Sequence, residues 1–290
     1  MILHQAIIFT AYLRHNYVMT YSIQKLLPYL AVVFIYLAVA TNFWRGANMT
    51  TKPQISKLRT AMLGLGLIIH AWLLYQVIFA NGFNLGFFNV LSVIAWLTVL
   101  IYGLADLKHN LAGLQAFILP QSAIFAILPA YTVANHTLPD TESPLFLAHI
   151  AIALLAYSLF TFATLHALLM IFAERSLHNK TTLIKLPSFP PLMVMETLLF
   201  QIISLGFVLL TITLISGMLF SEEIFGKPMQ LNHKSVFSIA SWFIYAALLF
   251  GRYQYGWRGI KAIRWTLTGF VLLLLAYLGS KFILQVILGR

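Results

Sequence analysis

Histidine is the residue type on which chemistry in this sequence can rest. There are nine histidines and no cysteine. Without cysteine there are no disulfides, thiolate metal sites, cysteine nucleophiles or covalent haem attachment through a CxxCH motif. What remains is neutral imidazole, a ligand for transition metals and for haem iron. His70 stands in the apolar run Ile68-Ile69-His70-Ala71-Trp72. An imidazole deep in a bilayer needs a polar partner or a ligand, so His70 is a candidate for either. The plainer reading is a neutral histidine hydrogen-bonded between helices. His149 and His233 each open an apolar run. If both lie at one membrane surface, they can ligate a metal or haem iron; otherwise they are interfacial and wet. Two residues do not by themselves define a site. His166 follows His149 by seventeen residues, about 25 Å along a helix, which puts it near the opposite face. With His4, His15, His109, His136 and His178 it reads as solvated.

The elements that position these histidines are set by composition. Of 290 residues, 61% are hydrophobic and 9% charged. A soluble domain carries about a quarter charged residues, so this chain cannot cover a water-facing surface. Apolar runs long enough to cross a bilayer recur at 26–44, 59–80, 86–104, 113–133, 145–173, 197–220, 235–250 and 265–288. The seventh is short. Lipid forbids open sheets, so the expected fold is all-α, a polytopic transmembrane helical bundle of about eight helices. Residues 1–25 read as an N-terminal extension, because Arg14, His15 and Asn16 interrupt a run already too short to span. Residues 26–290 read as one transmembrane domain, with the lipid bilayer as its first partner.

The basic residues set the topology. Arg45, Lys52, Lys57 and Arg59 lie in the first loop, and Lys108 in the third. Arg175, Lys180 and Lys185 lie in the fifth, and Arg252, Arg258, Lys261 and Arg264 in the seventh. Those twelve of the eighteen Lys and Arg residues fall in odd loops. The positive-inside rule then places the odd loops in the cytoplasm and both termini outside, in a bacterial inner membrane. That distribution also accounts for the net charge of +11 without nucleic acid as a partner. Under this topology His70 is about 16 Å from the cytoplasmic end of its span, while His149 and His233 share the outer surface.

No P-loop, GxSxG, HExxH or dinucleotide-binding GxGxxG motif appears in its required context. The seven acidic residues lie in loops or at span ends, too few for a proton relay inside the membrane. Most of the six tryptophans (Trp44, Trp72, Trp96, Trp242, Trp257 and Trp265) fall near span ends, as in an interfacial belt. Those nearest the outer histidines could instead wall a haem. Pro120 and Pro129 in the fourth span are the one hint of a broken helix, the feature expected of a transporter.

Four segments carry a resemblance. The run HIAIALLAYSLFTFATLHALLMI from His149, GFVLLTITLISGMLF (Gly206 to Phe220), NGFNLGFFNVLSVIAW (Asn81 to Trp96) and GRYQYGWRGIKAIRWTLTGFVLLLLAYLGSKF (Gly251 to Phe282) resemble the CcsA/CcmC/HemX-like cytochrome c assembly family. The last looks like its YpjD and HemX branch. The resemblance covers spans two to eight. It implies an eight-helix, haem-binding bundle whose synthetase members present haem beneath a tryptophan-rich outer loop, between two outer histidines. His149 matches the first of these. The tryptophan-rich motif falls at Ser221 to Ser238, which reads SEEIFGKPMQLNHKSVFS and holds no tryptophan. The second outer histidine would fall near Leu278 to Ser280 and an intramembrane one near Gly251, and neither is there. His233, inside the degenerate loop, is the substitute we infer.

The resulting expectation is a haem-handling membrane protein of this family, linked to cytochrome c biogenesis or haem homeostasis, that is not itself a synthetase. Haem is the expected cofactor, with His149, His233 and His70 as its candidate ligands and other membrane proteins as further partners. Iron held by two imidazoles needs their nitrogens about 4 Å apart. Lys227 and Lys234 could pair with haem propionates. The alternatives from other classes are a divalent-metal or small-solute transport component, and a structural partner of another membrane complex.

Overall fold

The computed structural model describes residues 25–41, 53–80, 82–109, 114–131, 143–178, 191–225 and 233–276. All regular structure among them is helical: α1 Lys25–Thr41, α2 Pro53–Phe79, α3 Phe87–His109, α4 Gln115–Ile127, α5 Pro144–His178, α6 Leu192–Phe225, α7 His233–Tyr255 and α8 Gly259–Leu274. A 3-10 turn, Leu128–Tyr131, continues α4 and carries Pro129. Each expected span contains a helix; residues 42–44 of the first and 277–288 of the last lie outside the described residues. Proline at the first helical position starts α2 at Pro53, six residues before the apolar run. The short seventh span is the middle of a 23-residue helix. Polar residues such as Lys57 and Lys261 extend these helices past the apolar core, because a long aliphatic stem lets the charge reach water. The N-terminal extension up to Gln24, together with His4, His15, His136, Trp44 and Lys227, lies outside the described residues.

Five of the helices, α2, α3, α5, α6 and α7, are long and apolar enough to cross a membrane on their own. Their outward faces are greasy, as lipid contact requires. On α2, Leu65, Ile68, Trp72 and Tyr75 form an exposed stripe at helical spacing. The polar groups go inward, where neighbouring helices can satisfy them.

The core is organised around α5, which packs against α3, α4, α6 and α8. Buried Ala156, Ala163, Ala167 and Ala173 let its neighbours approach closely. Phe160 of α5 stacks on Tyr245 of α7 with ring centroids 4.0 Å apart. Gly206 of α6 leaves room for that pair; a Cβ there would sit 3.1 Å from the Phe160 ring.

Side-chain pairs fix the helix directions. His149 meets Ser216 and His166 meets Met195, so α5 and α6 are antiparallel. Trp242 meets Thr211 and Arg252 meets Glu196, so α6 and α7 are antiparallel too. Hence α5 and α7 run the same way. One end of the bundle gathers Arg59, Arg175, Arg252, Arg258, Lys261 and Arg264; the other carries His149 and His233. Among the described residues, the two carboxylates in ion pairs, Asp106 and Glu196, both lie at the arginine end. Asp106 pairs with Arg59 at 3.3 Å. Glu196 pairs with Arg252 and lies 3.6 Å from Arg258.

A tight turn joins α7 to α8 at that end. Gly256, at φ 63°, donates its N–H to the Arg252 carbonyl, and Trp257 N–H donates to the Gly251 carbonyl. This left-handed glycine cap satisfies the last carbonyls of α7 and folds the Trp257 indole onto Gly251.

Candidate functional site

His149 lies one turn into α5 and faces α6. Its Nδ1 is 2.7 Å from Ser216 Oγ. The Ser216 hydroxyl has a single proton, which it donates back to the Ile212 carbonyl at 2.7 Å. Its oxygen is then the acceptor, and His149 Nδ1–H the donor. That arrangement selects the tautomer whose lone pair sits on Nε2, the way metal-binding histidines are oriented by a partner on their other nitrogen. Two features hold the ring. Phe146 lies nearly parallel to it, with centroids 6.5 Å apart. Gly217 sits beside it, where a Cβ would be 3.5 Å from Cε1.

His233 is the first residue of α7 and is exposed. Among the described residues no hydrogen bond or ring contact joins it to His149. The two nevertheless lie at one level. The Phe160–Tyr245 stack sets the α5–α7 register. His149 is eleven residues before Phe160, about 16 Å, and His233 twelve before Tyr245, about 18 Å. Parallel helices therefore place them at the same end within about one residue's rise.

His70 is buried and belongs to a different node. Its Nδ1 lies 3.2 Å from Tyr36 Oη of α1, and its Nε2 2.9 Å from Ser92 Oγ of α3. Both ring nitrogens are thus engaged across three helices, and ligation by His70 would require giving up one of these bonds. In α2 His70 is seventeen residues from Pro53 and nine from Phe79. The polar first turn lies outside the apolar part of the helix, Lys57–Phe79, and within that part His70 is close to the middle. Thr98 approaches the Ser158 carbonyl at 3.5 Å and sets the α3–α5 register. Ser92 then lies about one turn deeper than His149. The two nodes flank α5. Its Ile150, Leu154 and Tyr157 pack on the α2–α3 cluster around Leu74, Val90 and Ile94, while His149 faces α6.

His166 corrects the solvated reading. It is wholly buried, and Nε2–H donates to the Met195 carbonyl at 2.7 Å. Phe162 stacks parallel to it at 6.1 Å. Its Nδ1 is buried with no hydrogen-bond partner among the described residues. The missed signal is the length of α5, which runs twelve residues past His166 to His178 and keeps it inside the packing. His109 and His178 are helix-terminal residues and not loop residues.

The tryptophans divide. Trp257 and Trp265 pack against each other at the arginine end, centroids 5.1 Å apart and planes tilted by 45°, as in a belt. Trp96 donates to the Leu67 carbonyl at 2.9 Å, and Trp242 to Thr211 at 2.9 Å while stacking on Phe207. These two pin helices together. Among the described residues no three His, Asp or Glu side chains converge as a metal site.

Comparison with known proteins agrees with this architecture. The model of the family described as Cytochrome C assembly protein matches residues 55–288. Inner membrane protein YpjD of Escherichia coli is 32% identical over 212 residues, covering 71% of this chain and 78% of that protein. The cytochrome c biogenesis protein CcsA of Prochlorococcus marinus is 23% identical over 278 residues, covering 87% and 90%. A 28.8 kDa protein of Azospirillum brasilense is 28% identical over 227 residues, covering 76% and 82%. The matched region runs from the first turn of α2 to the last residues of the chain, and with it this multi-pass inner membrane protein belongs to the cytochrome c assembly family.

Proposed function

We propose that this protein handles haem for cytochrome c assembly or haem homeostasis, without being a synthetase. In this reading His149 and His233 hold the iron at the histidine end. The observation that carries it is the His149–Ser216 pair, which aims a tautomer with its lone pair on Nε2 from a helix that matches the family's first outer histidine. The donor set fits the group: haem iron takes imidazole axial ligands. His233 stands at the same level on α7, next to Lys234, whose ammonium suits a propionate. His70 is the second choice as a ligand, because both its nitrogens already have hydroxyl partners. Synthesis is set aside because the stretch Ser221 to Ser238 holds no tryptophan to present the macrocycle.

The test is a visible spectrum of protein purified from haem-replete cells, with haem quantified as its pyridine complex. A low-spin Soret band that co-purifies with the chain is the expected result. A colourless protein that also fails to take up added hemin would remove the haem reading. It would leave a structural partner of another membrane complex.

Sidedness is part of the same proposal. The arginine end faces the cytoplasm, and the histidine end and both termini face outside. Reporter fusions after residues 110 and 180 should read cytoplasmic, and a fusion after 138 extracytoplasmic. The opposite pattern would reverse the assignment.

A further inference from the structure

The arginine end holds a second feature that haem handling does not use. Between α5 and α8 lies a cavity of about 430 Å³ whose lining includes Ile171, Glu174, Arg175, Ile263, Arg264 and Leu267. Its composition is two-part. Two exposed guanidiniums, one from each helix, form its mouth; Ile171 lies one turn below Arg175 and Leu267 one turn below Arg264, while Ile260 lines the outer side. Neither guanidinium is taken up by a carboxylate among the described residues. Asp106 takes Arg59, and Glu196 takes Arg252 and Arg258. Lys261, one turn from Arg264, turns away over the Trp257 ring at 3.8 Å. Arg175 and Arg264 make no ion pair among the described residues, and both are exposed. Glu174 offsets part of their charge and leaves the mouth net positive.

The level is that of the membrane surface. Trp265 adjoins Arg264 in sequence and packs, tilted, against Trp257, and tryptophans are enriched where headgroups meet acyl chains. A basic mouth above an apolar groove between two membrane helices is complementary to one kind of molecule, a headgroup phosphate carrying its own acyl chains.

We propose that this groove is a binding site for an anionic diacyl phospholipid. Its phosphate sits between Arg175 and Arg264, and an acyl chain lies along Ile171, Ile263 and Leu267. Planar guanidiniums suit the phosphate because each can offer it two N–H groups at once.

Native mass spectrometry of the purified full chain tests this, with phosphatidylglycerol titrated against phosphatidylcholine of the same acyl composition. The wild type should retain phosphatidylglycerol preferentially. Each interfacial arginine contributes about fivefold in affinity for an anionic lipid, so Arg175→Gln with Arg264→Gln should cut the preference about 25-fold. Arg175→Lys with Arg264→Lys keeps the charge and should retain most of it. Lys261→Gln, whose side chain faces away from the groove, should change little. Three results would each overturn the proposal. One is equal retention of the two lipids by the wild type. Another is an unchanged preference in a monodisperse double glutamine variant. The third is displacement of the lipid by soluble glycerol phosphate at the lipid's own concentration. If the chain's own segment 179–190 fills the groove, lipid binding will appear only after that segment is shortened, and this too refutes the site as stated.

Discussion

Changing His149 to alanine should remove the low-spin haem spectrum from the purified protein while leaving the bundle folded. The ring is half-buried near the start of α5, beside Phe146, Ser216 and Gly217, so its loss leaves no large internal void. The expected loss of haem affinity exceeds about 100-fold, because disturbing even an orienting partner of a ligand costs about 10- to 100-fold. Ser216→Ala supplies the graded comparison. It leaves the imidazole in place but frees its tautomer and orientation, so affinity should fall within that 10- to 100-fold range. His70→Gln is the discriminating control. Glutamine can still donate to one hydroxyl and accept from the other, so both spectrum and stability should persist. Should His70→Gln bleach the protein while His149→Ala does not, the iron sits at the α1–α2–α3 node and the helix-end site is wrong.

Gly269→Leu should severely damage the packing of α7 on α8. A Cβ at that position would lie 2.8 Å from Tyr245 Cζ and 3.2 Å from Ile244 Cγ2. Tyr245 cannot retreat, because its other face stacks on Phe160 and its hydroxyl donates to the Thr266 carbonyl at 3.3 Å. Ser241 donates to the carbonyl of Gly269 itself at 2.8 Å. Overpacking of this kind costs about 1–3 kcal/mol, and each interhelical hydrogen bond lost in the membrane adds about 0.6 kcal/mol. The folded yield and the melting temperature in detergent should both drop sharply, with Gly269→Ala showing a smaller drop in the same direction. Gly64, where a Cβ would meet nothing within 4 Å, is the matched control in α2. Equal damage from Gly64→Leu and Gly269→Leu would show that the close α7–α8 approach is not what the glycine serves.

The tryptophan-free loop illustrates how far family likeness reaches. The resemblance places the helices, and the family match from residue 55 to 288 shows the same family; His149 as a ligand rests on the resemblance alone. It does not say what replaces the missing second histidine. Among the described residues no hydrogen bond or ring contact joins His233 to His149, although it shares its level. Level follows from helix length and register, whereas lateral separation depends on how α5, α6 and α7 wrap around one another.

Much of this molecule was legible in the residues alone. Apolar runs of about 20 residues have one stable solution in a bilayer, so eight helices follow from composition and length. Arginine clustering at one end follows from the loops in which the basic residues occur. Hydropathy, however, reports only that a segment enters the membrane. It carries no information about how a helix is rotated or which residue it meets. His166 therefore read as solvated, although the length of α5 and the Met195 carbonyl keep it wholly buried. His70 read as needing a polar partner, but only the packing shows that Tyr36 of α1 and Ser92 of α3 supply it. The tautomer of His149 and the two arginines standing together over an apolar groove depend on pairings between distant parts of the chain. Such pairings form only when α5 packs between α6 and α8, and only tertiary structure decides them.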